Sequence, residues 1–369
     1  MKKETALALI ISCTIIALTI IGVLIIKNVQ LSPQSVQPIC NTLKFSSPSA
    51  INLVFFAEKE KAEKYSEALF DIYPLNKNKD SFNIYYITDN IECELYKNAA
   101  LFCHSRELIK KAATCPNDYI FVLKSHASSI RSSSYLNVLS INTNHPLSVI
   151  AHEFGHAFAN LAEEYTPAKL PSGVKNCVES CPEFNGLDEG CFQGCSTNNY
   201  YRSIDSGIMR SLHSPKFGKF NEILIENRIS KDKQQITGLA ISTEPQCENQ
   251  FFHVIKGSYS KPAGITIKEK TVEQGCIGTN GGQQFTYKIK DSSNNYISSD
   301  SFNPELIFTD AQTEGQALLS GETDNYEGEF YLKVQNMPDS NYLEIFDNEN
   351  KLIKQTSLKP IRDDRPCKI

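Results

Sequence analysis

The longest apolar stretch of the chain comes first. Ala6–Ile26 (ALALIISCTIIALTIIGVLII) runs 21 positions without a charge, with Lys2 and Lys3 before it and Lys27 after it. A helix of that length covers about 31 Å, the hydrocarbon thickness of a bilayer. The run therefore predicts a membrane anchor over residues 1–27, and the positive-inside rule puts the residues after Lys27 outside the cytoplasm. A cleaved signal peptide is the rival, and it leads to the same compartment. Its apolar region is normally shorter and ends in small residues, where this one ends in Val23, Leu24, Ile25 and Ile26. Residues 28–50, with Pro33, Pro38 and Pro48 among serines, read as a stalk.

Beyond the stalk the pattern alternates between two periods. INLVFFAE (51–58), FNIYYIT (82–88) and YIFVLKS (119–125) are β-branched and aromatic runs, as buried strands require. Lys59–Tyr73 and Ser105–Ala113 read as helices. SYLNVLSIN (134–142) alternates and predicts an edge strand. Asn144, His145 and Pro146 then start a helix. Strands alternating with helices predict an α/β layer to about residue 170, then a cysteine-rich loop and a short helix near Phe220–Arg228. From about residue 245, GITIKEKT, QQFTYKI, ELIFTD, EGEFYLKVQ and YLEIFD are short strands between turn residues. They predict a β-sandwich. Composition excludes two classes. With 41% hydrophobic residues the chain can bury a core, and a net charge of −5 with no basic tract speaks against nucleic acid.

The predicted helix at LSVIAHEFGHAFANLAEEY (147–165) carries the chemistry. His152, Glu153 and His156 form an H-E-x-x-H pattern. Histidines four apart share a helix face, so both imidazoles can bind one Zn²⁺, and Glu153 can act on the activated water as general base. With 7 histidines in the chain, chance supplies fewer than about 0.01 such matches. The flanking Val149, Ile150, Phe154, Phe158 and Leu161 predict a buried helix, where unsatisfied polar groups are costly. A catalytic site needs a third protein ligand. On a continuous helix Glu163 would sit about 10 Å beyond His156, so the chain must turn, with Asn160 the turn residue. Either Glu163 or Glu164 then supplies the carboxylate.

HEFGHAFANLAEEY resembles the H-E-[FL]-G-H-x-x-x-x-L-A-D-E-Y signature of the M64 metallopeptidases (IgA peptidase type), and YYRSIDSGIMRSLHSPKFGKFN (200–221) resembles that family's Met-Arg segment with its P-x-F-G-x-x-N stretch. The resemblance runs over about residues 50–230. It implies an α/β (α+β) metzincin-like zinc peptidase domain over 51–240. With the residues' own pattern this makes a chain with an N-terminal transmembrane helix and a C-terminal β-sandwich domain over 245–369. It also implies Met209 in a turn beneath the metal. This chain has Ala159-Asn160 where many members have Gly-Gly, and Glu163 where they have Asp. The residues' own spacing leans slightly to Glu163, the departure raises the case for Glu164, which fits the signature unchanged, and the two stay open.

Cys177, Cys181, Cys191 and Cys195 pair as disulfides outside the cytoplasm, for example Cys177 with Cys195 and Cys181 with Cys191; a four-cysteine metal site is the alternative. Eleven of the 12 cysteines lie beyond the apolar run, an odd number, and Cys40 is the suspect for the unpaired one. His145 is read as a helix cap, and His213, Tyr201 and Arg202 as weaker candidates for the cleft. The free edge of 134–142 would bind an extended protein or peptide substrate by β-addition. The chain is thus expected to be a membrane-anchored, extracytoplasmic zinc endopeptidase. A non-enzymatic surface-binding protein with a structural metal is the rival, and an exopeptidase the weaker one. Oligomeric state is not legible.

Overall fold

The computed structural model describes residues 39–235, 247–310, 312–314, 317–319 and 322–359. In chain order the first half comprises β1 (Asn41–Lys44), β2 (Ile51–Phe56), α1 (Lys59–Phe70), β3 (Phe82–Ile87), β4 (Glu94–Tyr96), β5 (Ala100–Phe102), α2 (Arg106–Ala112), β6 (Tyr119–Lys124), β7 (Ser133–Tyr135), β8 (Val138–Asn142), α3 (Val149–Ala159), β9 (Phe192–Cys195), β10 (Thr197–Arg202) and α4 (Lys219–Gln235). The second half is all strand: β11 (Phe251–Ser260), β12 (Gly264–Gln274), β13 (Phe285–Lys290), β14 (Tyr296–Phe302), β15 (Leu306–Thr309), β16 (Gln312–Glu314), β17 (Ala317–Leu319), β18 (Glu322–Asn325), β19 (Gly328–Gln335), β20 (Tyr342–Phe346) and β21 (Leu352–Ser357).

The largest sheet runs β1-β3-β2-β6-β8-β7-β15-β18. Its middle, β3-β2-β6-β8, is parallel. Helices cover both faces there, which is why INLVFF and YIFVLK read as continuous apolar runs. On one face Ala62, Tyr65 and Leu69 of α1, at helical spacing, meet Val149, Phe154 and Phe158 of α3 over Leu53, Phe55 and Phe121. On the other, Leu108 and Ile109 of α2 close over Val54, Ile120 and Val122. Ser105 caps α2 by accepting from the Leu108 N–H at 3.2 Å. Sheets β12-β11-β19 and β14-β13-β20-β21 share a third core. In it Ile255 and Leu332 face Tyr287 and Ile345, and Tyr135 and Ile307 of the largest sheet join them.

The fold-class expectation is corrected. The structure is mostly β, 35% strand against 19% helix, spread over several sheets, rather than an α/β metzincin-like domain with a β appendage. The physical reason lies in strand pairing. β15 and β18, from the region read as a separate sandwich, complete the largest sheet, with Ile307 opposite Tyr135 and Phe308 opposite Ser134. The expected edge strand 134–142 is instead two strands, β7 and β8, hinged at Leu136 with φ 53°, and neither is an edge. Among the described residues no helix is long and apolar enough to cross a membrane, and the run Ala6–Ile26 lies outside them. The stalk reading also ends too late, because β1 already pairs with β3. Cys40, the suspected free thiol, is bonded to Cys115.

Candidate metal centre

The site is built on α3 and on the reversal that ends it. Every residue of α3 from Val149 to Phe158 is buried. Phe154 and Phe158 stack on each other at 4.8 Å and edge onto Tyr119, fixing which side of the helix faces the sheet. Gly155 sits where a Cβ would lie 2.8 Å from Met209 Sδ, so Met209, fully buried, packs directly beneath the helix. Asn160 ends α3 in the left-handed conformation (φ 51°, ψ 42°), which Asn tolerates better than other side chains. Its N–H returns to Gly155 O and His156 O, and the Leu161 N–H reaches Gly155 O at 3.2 Å. This turn sends Leu161–Tyr165 back beside the helix.

The reversal brings His152, His156 and Glu163 together, with one donor atom from each inside a 4.8 Å span. His156 Nε2 lies 3.1 Å from His152 Nε2 and 3.1 Å from Glu163 Oε1, and His152 Nε2 lies 3.4 Å from Glu163 Oε2. The other ring nitrogens face backbone carbonyls: His152 Nδ1 to Ile208 O at 3.0 Å, His156 Nδ1 to Leu161 O at 2.6 Å. A carbonyl only accepts, so each Nδ1 carries a hydrogen and Nε2 is the atom left to take a metal ion or a proton. With both rings neutral, two lone pairs and a carboxylate would converge at this point. A bound cation would satisfy that arrangement, as would a proton shared by His152 with Glu163. Burial works against a charged His152, yet Glu163 lifts its pKa to about 10. Burial likewise works against an ionised Glu163, but His156 and His152 pull its pKa down to about 2. Two imidazoles and a carboxylate are a donor set that could hold zinc, and three protein ligands would leave a fourth position for water. Glu153, fully buried, has neither carboxylate oxygen hydrogen-bonded among the described residues. Burial raises its pKa well above the usual carboxylate range, with His152 opposing and Asp310 and Glu163 adding to the rise.

Glu164 points elsewhere. Its Oε1 accepts from Asn221 Nδ2 at 2.7 Å and Asn176 Nδ2 at 3.4 Å, and its N–H donates to Met209 O at 2.9 Å. Burial raises its pKa to about 7, against those two amide bonds. The returning arm is clamped by the cysteine loop. Asn176 Oδ1 accepts from Ala162 N at 2.7 Å while its Nδ2 donates to Ala162 O at 2.9 Å, and Ser196 Oγ donates to Glu163 O at 2.8 Å. Cys177–Cys195 and Cys181–Cys191 are disulfides, as are Cys93–Cys103 and Cys247–Cys276.

Other candidates fall away from the centre. His145 does not cap the helix: its Nδ1 meets Asp310 Oδ2 at 2.6 Å and its Nε2 meets Ser128 O. His213 is exposed. Arg202 is buried, but it ties the carbonyls of Gln193 and Gly194 to Asp205. Tyr201 pairs with Gln193 in the β10–β9 ribbon and with Val178 in a bridge. Sequence reasoning missed Asn176, Asn221, Tyr165, Phe308 and Asp310. Tyr165 buries its phenol close to Glu163, and burial raises its pKa. Phe308 stacks on the His156 ring at 4.3 Å. Asn176 and β15 are far from the motif in sequence and carry no local signal; Tyr165 was within the family signature, and Asn221 closes the P-x-F-G-x-x-N stretch without any role having been drawn from it. Compared with known proteins, the chain matches no family model and no curated sequence.

Proposed function

We propose that the chain is a zinc-dependent hydrolase of peptide bonds, working in an oxidising, extracytoplasmic compartment. Three lone-pair donors meeting at one buried point carry this reading. His152, His156 and Glu163 would hold the ion, with Ile208 O and Leu161 O fixing both rings. Bound there, zinc supplies Lewis-acid chemistry, lowering the pKa of a water toward neutrality and stabilising charge that develops on a carbonyl oxygen. Glu153 takes the proton from the attacking water and delivers it to the departing amine nitrogen. Glu164 has a structural role, joining the reversed arm to α4 through Asn221. The likeness of HEFGHAFANLAEEY to M64 peptidases supports a peptide rather than a small ester as substrate. Disulfides among the described cysteines support the compartment.

A non-enzymatic protein with a structural metal is the second reading, favoured by the burial of all three donors. It needs a fourth protein ligand, and among the described residues the cluster holds three. The test is Glu153→Gln in the purified chain. Zinc content stays at the wild-type level, and cleavage of a peptide library, abolished in wild type by a chelator, falls at least ~100-fold. Undiminished cleavage in that variant removes Glu153 as the base, and no cleavage by any zinc-loaded form favours the structural metal.

A further inference from the structure

We propose that the chain shuts its own site: β15 occupies the groove along β7 as an internal stand-in for substrate, and it must be displaced before a peptide can enter. The inference rests on the hydrolase reading for its purpose, but its geometry is independent of it.

Without β15, β7 would be the edge strand next to α3; β15 takes that place as an antiparallel strand, with Phe308 opposite Ser134 and Thr309 opposite Ser133. An extended segment bonded along a sheet edge is the form in which peptides are captured by β-addition. Side chains alternate along β15. Ile307 points into the core shared by the β-sheets, whereas Phe308 lies flat on the imidazole of His156, with centroids 4.3 Å apart and planes 16° from parallel. The end of the strand is latched. Asp310 is fully buried; its Oδ1 accepts from the Ser132 N–H at 3.0 Å, and its Oδ2 meets His145 Nδ1 at 2.6 Å.

Among the described residues the centre is closed to a peptide. His152, Glu153, His156 and Glu163 are 1%, 0%, 2% and 0% exposed. The cavity beside His156, lined by Ser134, Asn160, Leu306 and Phe308 among others, measures about 20 Å³. That holds one water molecule and nothing larger. A hydrolase whose base and ligands are sealed from solvent cannot turn over unless something moves. β15 is the element that both touches the imidazole and takes the hydrogen bonds a substrate strand would use.

The test compares the full-length wild-type chain with Phe308→Ala and Asp310→Ala. Zinc loss to excess EDTA is followed with a colorimetric indicator, and turnover with a quenched fluorescent peptide. Both variants are expected to lose zinc at least tenfold faster and to cleave at least tenfold faster. Zinc loss at the wild-type rate in both folded variants overturns the proposal. So does faster zinc loss with slower cleavage, the signature of a segment that merely supports the ligands. Faster zinc loss with no cleavage by any form keeps the internal occupant and removes the hydrolase reading; equal cleavage by all forms with equal zinc loss does the reverse. Should the variants fail to fold, hydrogen exchange on the wild type decides. The Ile307–Thr309 amides are expected to exchange at least tenfold faster than those of β6, and equal protection overturns the proposal.

Discussion

Replacing Asn176 with alanine tests how Glu163 is held where it is. The arm from Leu161 to Tyr165 has left the helix and cannot use helical hydrogen bonds. Asn176, only 1% exposed, supplies a donor and an acceptor to the two backbone groups of Ala162, at 2.9 and 2.7 Å. Alanine leaves a buried N–H and a buried C=O unpaired. At roughly 1–3 kcal/mol each, the loss is about 2–6 kcal/mol, with the lower half expected if water enters the space. The third bond, to Glu164 Oε1 at 3.4 Å, is long and adds little. Because Ala162 precedes Glu163, a slack arm also weakens the metal site; supports of this kind change metal affinity about 10–100-fold. Urea unfolding of the oxidised chain reads the stability term, and competition with a chelator reads the affinity term. An Asn176→Ala variant that loses less than about 1 kcal/mol and binds zinc as wild type does would refute the clamp.

Three further outcomes are expected from the same site and its surroundings. Glu163→Gln is expected to lose zinc while Glu164→Gln keeps it, read by metal analysis after gel filtration; the reverse pattern exchanges their roles. Glu164 has a folded pKa near 7 against the ordinary 4.5, so the native state holds the extra proton and stability falls as pH rises from 4.5 to 7. Glu164→Gln should therefore gain up to about 3 kcal/mol on wild type at pH 8, and a loss at pH 8 would contradict this. His104, buried with Nε2 accepting from the Tyr331 N–H, has its pKa lowered to about 3, first by burial and then by Lys333. The unfolded chain takes the extra proton below pH 6.5, so stability is full above 6.5 and drops toward pH 3 by up to about 1.4 kcal/mol per unit; His104→Gln should flatten that slope in denaturant titrations.

Much of this site was legible because its parts are close together in sequence. H-E-x-x-H fixes two imidazoles on one helix face whatever the surrounding fold. The arithmetic of helical rise demanded a turn, Asn160 was its candidate because Asn tolerates the left-handed conformation, and its φ of 51° is where the chain bends. The choice between Glu163 and Glu164 was not legible. It depends on Asn176 and Asn221, 12 and 57 residues beyond Glu164, which draw that carboxylate away. The central strands were plain because parallel strands buried on both faces are apolar throughout. The class assignment failed at ELIFTD. Its pattern says strand, but nothing within six residues says which sheet, and β15 pairs with β7 rather than staying with its sequence neighbours. Cys40 failed for the same reason, since proline and serine around it suggest a linker while its partner, Cys115, stands 75 residues away.

Zinc-edge X-ray absorption on the purified chain, loaded with one equivalent of zinc, tests the central claim most directly. The account predicts retained zinc in a shell of two imidazole nitrogens and carboxylate and solvent oxygens, without sulfur, disappearing in Glu163→Gln. A sulfur shell, or zinc lost on simple desalting of the wild type, would contradict it.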